Sequence, residues 1–229
     1  MIIINKINFP IYGTIIIVSI IMGLLFNYLF LKKNNIKEKN ILLYLFLLFI
    51  YSFLGGILFN SIINFSFENY TIGLSSYGGA IGICICSIIF EKIDNSNGIY
   101  IKSAILSLPL IYAIAKLACF FSGCCFGVPY KGLFSVVYTE GLNIPLFPVQ
   151  LIETIAFLCL FFICYYNNKN ENIISITILL SAIFKFILDY FRYSNINVFL
   201  SINQIVSIFF IMISIYLFFK KRYNRNVCN

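Results

Sequence analysis

Long apolar runs separated by short polar connections set the pattern of the chain. Seven of them reach the roughly 20 residues that a helix with a rise of about 1.5 Å per residue needs to cross a bilayer. They run approximately from Ile11 to Leu31, Ile41 to Ile63, Ile72 to Phe90, Ile99 to Phe121, Val149 to Tyr166, Ile173 to Phe191 and Phe199 to Phe219. The third is the weakest, because its apolar core after Gly78-Gly79 is short, and its entry as loop or as helix stays open. The first lacks the basic start and small-residue cleavage site of a signal peptide and is read as part of the mature fold. With no internal repeat, low-complexity linker or composition break, residues 1–229 are expected to form a single integral membrane domain. The expected class is all-α: a polytopic membrane helix bundle of about seven transmembrane helices.

Composition supports this class. Hydrophobic residues make up 61% and charged residues 10% of the 229 positions, and the mean hydropathy is +0.97, far above what a soluble domain requires. The net charge of +8 could suggest nucleic acid, but the basic residues cluster between apolar spans, which is a topology signal instead. Lys32, Lys33, Lys37 and Lys39 follow the first span, Lys92 and Lys102 flank the third connection, Lys169 lies in the fifth, and Lys220, Lys221, Arg222 and Arg225 end the chain. The opposite side carries only Lys6 and Lys131. The positive-inside rule therefore places the amino terminus outside and the carboxyl terminus in the cytoplasm, and no nucleic-acid partner is expected. The absence of histidine removes the usual general base and most zinc-site patterns.

Polar residues inside the spans carry the candidate chemistry. The stretch KLACFFSGCCFGVP, Lys116 to Pro129, sets a lysine in an apolar segment and ends it with Gly123, Cys124, Cys125, Gly127 and Pro129. Lysine at membrane depth costs a few kcal/mol and normally faces a cavity or a partner. Gln150 and Glu153 open the fifth span, and Lys185, Asp189 and Arg192 stand at i, i+4 and i+7 on one expected helical face of the sixth. On the topology above, all of these collect in the outer half of the membrane. Two readings remain: ion pairs that hold the bundle together, Glu153 with Lys116 and Asp189 with Lys185 or Arg192, or a polar site built from three helices.

These residues resemble the prolipoprotein diacylglyceryl transferases, enzymes of the bacterial plasma membrane with seven helices and an external amino terminus. The central signature of that family, approximately R-I-G-N-F-x-N-G-E-x-x-G-x-P, aligns with Lys116 to Pro129. Phe120, Gly123, Gly127 and Pro129 match it. Lys116 stands for the arginine, Cys119 and Ser122 for the asparagines, and Cys124 for the acidic residue. Its W-Y-G resembles Ile11-Tyr12-Gly13, its H-G-G-L-I-G resembles Tyr77-Gly78-Gly79-Ala80-Ile81-Gly82, and its H-P-S-Q-L-Y-E resembles the stretch from Phe147 to Glu153. Its F-R-x-x-E-x-F-R resembles the stretch from Phe184 to Arg192. The resemblance covers nearly the whole chain.

It implies transfer of a diacylglyceryl group from phosphatidylglycerol, or a similar anionic phospholipid, to the lipobox cysteine thiol of an exported prolipoprotein or peptide, with no cofactor and no metal. The implied catalytic residues are Tyr77, Lys116 and Arg192. Tyr12, Gly78, Gly79, Cys119, Ser122, Gly123, Cys124, Gly127, Gln150, Glu153 and Asp189 are implied to bind substrate. Lysine in place of arginine gives a point charge where the family has a bidentate fork, and a tyrosine with an ordinary pKa near 10 stands where the family has histidine. The alternative is a non-catalytic descendant that binds lipid or an exported peptide. A small-solute transporter is more distant, since inverted repeats and paired broken helices are missing. For Cys119, Cys124 and Cys125, packing or an adventitious disulfide is the expected role, ahead of a nucleophile, a redox pair or a metal site. Cys84 and Cys86 are expected to be structural.

Overall fold

The apolar runs become seven helices in the computed structural model, which describes residues 2–4, 9–63, 75–138, 143–196 and 199–228. They are α1 (Phe9–Lys33), α2 (Glu38–Ile63), α3 (Ser76–Asp94), α4 (Ile99–Ser122), α5 (Val149–Tyr166), α6 (Ile173–Asp189) and α7 (Ile202–Cys228). Two short strands, β1 (Ile2–Ile4) and β2 (Val136–Tyr138), pair in parallel with Ile2 opposite Val136. Among the described residues, six helices are long and apolar enough to cross a membrane. The expected seventh, α6, has 17 residues, or about 26 Å of helix, just under a hydrocarbon thickness of about 30 Å. Large apolar side chains such as Ile17, Leu29, Leu42, Phe46 and Leu58 stand exposed on α1 and α2, as lipid-facing surfaces do. The fold is that of a polytopic membrane helix bundle.

One open reading is answered from Ser75 onward, and one expectation changes. The start of the third span at Ile72 lies outside the described residues, as does Lys6, but Gly78 and Gly79 sit within the first turn of α3. Ser75 makes that possible, since its extended backbone and side chain cap the helix by accepting the Gly78 N–H. Arg192 does not continue the helical face of Lys185 and Asp189, because α6 ends at Asp189 and Arg192 is extended. There the backbone exchanges helical bonds for others: Val128 N–H donates to the Phe191 carbonyl and Tyr193 N–H to the Phe126 carbonyl.

The chain gathers into two compact units, residues 21–108 and residues 1–20 with 109–229. The division falls at Pro109 inside α4, where the missing N–H removes one helical hydrogen bond.

In the first unit, α2 packs on α3 through backbone. A side chain on Gly78 would collide with the Gly55 carbonyl and Phe59, and one on Gly82 with the Tyr51 carbonyl, so these glycines allow close helix contact. Leu31, Ile41, Tyr44, Phe90 and Tyr100 form the core, with the Tyr44 and Tyr100 rings 4.8 Å apart edge to face. The α3–α4 turn runs through left-handed Asn95, Asn97 and Gly98. Glu91 accepts the Gly98 and Tyr100 N–H groups, satisfying donors that the start of α4 would otherwise leave bare.

The second unit holds α5, α6 and α7 and the connection from α4 to α5. Ser214 donates to the Ser175 carbonyl at 2.7 Å and ties α7 to α6. The connection folds back on itself through bridges from Leu146 to Val136 and to Pro129, and Phe120, Val136, Tyr138 and Leu146 bury its interior.

Candidate headgroup site

Glu153 organises the polar centre of the second unit. Its side chain, 1% exposed, projects from the second turn of α5. Three groups on two other segments meet it: Oε1 accepts from an Arg192 terminal nitrogen at 2.8 Å and from the Tyr112 hydroxyl at 2.9 Å, and Oε2 forms an ion pair with Lys116 Nζ at 2.9 Å. Lys116 and Tyr112 are four residues apart on α4, so they share a face, and both cations meet the carboxylate because Arg192 lies in the turn beyond α6. Lys185 extends the positive region, its ammonium 4.4 Å from the centre of the Tyr112 ring, while Lys116 stands 5.2 Å from the same ring. Asp189 lies 3.5 Å from Arg192 Nε and also accepts from Asn195, Ser201 and Asn203. Three basic side chains thus gather around two carboxylates in a low-dielectric region. Burial opposes the charge on Arg192, but Tyr112, Glu153, Cys125 and Asp189 outweigh it and hold the guanidinium protonated. Arg192 Nε is buried without a hydrogen-bond partner.

The turn after α4 closes beside this centre. Gly123 and Cys125 both take left-handed conformations, φ 65° and 54°, reversing the chain so that Cys124 N–H donates to the Cys119 carbonyl at 3.2 Å. The thiol sulfurs of Cys119, Cys124 and Cys125 converge within 4.8 Å of one another. Ser122 Oγ lies 3.2 Å from Cys124 Sγ, and Tyr12 of α1 lies beside the Cys119 thiol. Gln150 is a strut: buried to 1% exposure, its amide donates to the Cys124 carbonyl at 2.8 Å and reaches the Tyr138 hydroxyl at 3.5 Å. Burial pushes the Tyr138 phenol up to about 12, against the Gln150 hydrogen bond, which lowers it. The Cys125 thiol is held well below the usual thiol range, first by hydrogen bonds with Cys119 and Cys124 and then by the charges of Lys116 and Arg192. Gly127 has no room for a side chain, since the Phe147 and Phe191 carbonyls occupy the space. It bridges to Arg192 in antiparallel fashion, so the glycine fixes where the arginine emerges.

Of the residues singled out by sequence, Lys116, Glu153, Asp189 and Arg192 therefore form one ion-pair network. Tyr12, Cys119, Ser122, Gly123, Cys124, Gly127 and Gln150 build the turn next to it. Tyr77, Gly78 and Gly79 belong to the other unit. Tyr77 is buried, and Gly78 serves packing on α2 rather than offering bare backbone to a ligand. Sequence reasoning missed Tyr112, although its position one turn before Lys116 was a signal. It also missed Tyr138, whose only signal was the β-prone Val136-Val137-Tyr138 run.

The chain matches the family described as prolipoprotein diacylglyceryl transferase over residues 1–220. It is 27% identical to the phosphatidylglycerol–prolipoprotein diacylglyceryl transferase of Clostridium tetani, over 93% of this chain and 94% of that one. The protein of the same name from Campylobacter hominis is 24% identical over 88% of this chain and 83% of its own. That of Rickettsia bellii is 26% identical over 88% of each. A match running from the first residue into α7, on a helical bundle whose signature lysine shares a buried carboxylate with Arg192, places this chain in the prolipoprotein diacylglyceryl transferase family.

Proposed function

We propose that this protein transfers a diacylglyceryl group from phosphatidylglycerol to the thiol of a lipobox cysteine in an exported prolipoprotein, and so acts in lipoprotein biosynthesis. The observation that carries the reading is the pairing of Lys116 and Arg192 on one buried carboxylate, Glu153. A phosphodiester entering an apolar region needs cationic partners, and those cations need a counter-charge when no lipid is bound. Glu153 supplies it, with Asp189 and Tyr112 holding the arrangement in register.

In the reaction the acceptor sulfur forms a bond to the terminal glycerol carbon of the diacylglyceryl group. The bond from that carbon to the phosphate oxygen breaks, and the phosphate leaves on glycerol with both bonding electrons. The proton lost by the thiol goes to solvent or to the departing phosphate. Lys116 and Arg192 lower the barrier by stabilising negative charge that grows on the leaving oxygen. Glu153, Asp189 and Gln150 are positioning residues. The protein sits in the bacterial plasma membrane with its amino terminus outside, and no nucleic acid takes part. Reporter fusions after Lys39 and after Arg225 both read as cytoplasmic on this topology, and an external signal from either would reverse it.

The departures at Tyr77 and Cys124 favour one competing reading, lipid or peptide binding without transfer. Purified protein given labelled phosphatidylglycerol and a lipobox peptide separates the two. A labelled thioether product with release of glycerol phosphate is expected, whereas saturable lipid binding with no product would establish the binding-only protein.

A further inference from the structure

Three cysteines meet where neither packing nor a disulfide requires three. The Cys119, Cys124 and Cys125 sulfurs all lie within 4.8 Å of one another. Three thiolates bound to one ion at about 2.3 Å stand about 3.8 to 4.0 Å apart, so less than about 1 Å of closure is needed. We propose that Cys119, Cys124 and Cys125 form a three-thiolate site for a thiophilic d10 metal ion, Zn2+ or Cu+.

Several features of the turn support a built site. The last turn of α4 presents Cys119, and the left-handed residues Gly123 and Cys125 reverse the chain so that the next two thiols face the first. A left-handed cysteine is uncommon and persists where its surroundings hold it there. Gln150 clamps the Cys124 carbonyl, and the Ser122 hydroxyl donates to the Cys124 sulfur, which is how groups behind a ligand set usually fix its orientation. Cys125 is exposed and the other two are partly so, leaving a path for an ion to enter. The donor set is all sulfur, which selects soft ions over magnesium or calcium. The negative charge left by three thiolates on a mono- or divalent ion falls beside Lys116 and Arg192, whose fields reach Cys125. A disulfide between any two of the sulfurs would strand the third, so the three-way convergence favours an ion over an oxidised pair.

The test uses the full chain in detergent, freshly reduced and freed of reductant, titrated with Zn2+, with Cu+ under anaerobic conditions, and with Cd2+ as a spectroscopic probe. One equivalent is expected to bind tightly, with a cadmium–thiolate charge-transfer band and protection of three thiols from alkylation. Cys119→Ser, Cys124→Ser and Cys125→Ser should each weaken binding at least about tenfold, while Cys159→Ser, on the exposed face of α5, leaves it unchanged. The zinc and copper arms identify which ion the site prefers. No stoichiometric band in the reduced wild-type chain would overturn the site, as would a band that survives all three single variants. Isolation of the protein with two of these thiols oxidised, resisting metal after reduction, would assign a redox pair in its place. These readouts do not depend on transferase activity, so the two proposals can fail separately.

Discussion

Two glutamates, each projecting from a membrane helix, show how differently the chain uses a carboxylate. Glu91 faces backbone: it accepts the Gly98 and Tyr100 N–H groups and the Ser96 hydroxyl, closing the α3–α4 turn. Glu153 faces side chains: Lys116, Arg192 and Tyr112 converge on it from two other segments. Backbone donors at a helix start have nowhere else to go, so Glu91 completes local structure. Two cations brought to one buried carboxylate are a more costly arrangement, and they hold charge in place that a second anion could share. The difference separates a structural acid from one that organises a site.

Matched substitutions test it. Glu153→Gln leaves buried Lys116 with a neutral partner and Arg192 with Asp189 alone, and is expected to cost about 3–5 kcal/mol, read as a lowered denaturation midpoint in detergent, together with loss of transfer. Unchanged stability would mean that water, not Glu153, compensates the cations. Next comes Arg192→Ala, which should weaken phosphatidylglycerol binding roughly ten- to a hundredfold, with Arg192→Lys in between because charge survives and the planar fork does not. Normal lipid affinity in Arg192→Ala, accompanied by a lower melting temperature, would make the network structural and erase its distinction from Glu91. Tyr112→Phe keeps the ring under Lys116 and Lys185 but removes one hydrogen bond to Glu153. A loss of about 1.5 kcal/mol, near tenfold in lipid affinity, is expected, and a silent variant would show that the ring alone matters. The smallest effect belongs to Glu91→Gln, about 1 kcal/mol of stability from a weakened helix start, with transfer by the folded protein unchanged. A Glu91→Gln protein that folds normally yet fails in transfer would contradict the assignment.

Much of the site was legible as residues and little of it as geometry. Lys116, Glu153, Asp189 and Arg192 stood out because ionisable groups are rare at membrane depth, and rarity can be read without a fold. That Arg192 belongs to a turn rather than to the face of Lys185 could not be read, since α6 ends where Val128 and Phe126 offer backbone partners from more than 60 residues away in sequence. Glycines were ambiguous for a related reason. Gly78 and Gly127 both lack a side chain because carbonyls from distant segments fill the space, and nothing local distinguishes that from room for a ligand.

The sequence by itself determined the number and approximate limits of the helices, because the length of a membrane span and the cost of burying charge in lipid are local constraints. It also determined the family, through five short motifs in order. Tertiary structure decided the partners. It placed two cations and a phenol on Glu153, joined Gln150 to the turn it braces, and brought three thiols of one reversed loop together. Those outcomes depend on which backbone and side-chain groups are left unsatisfied where segments meet, and that is a property of the packed chain rather than of any stretch of it.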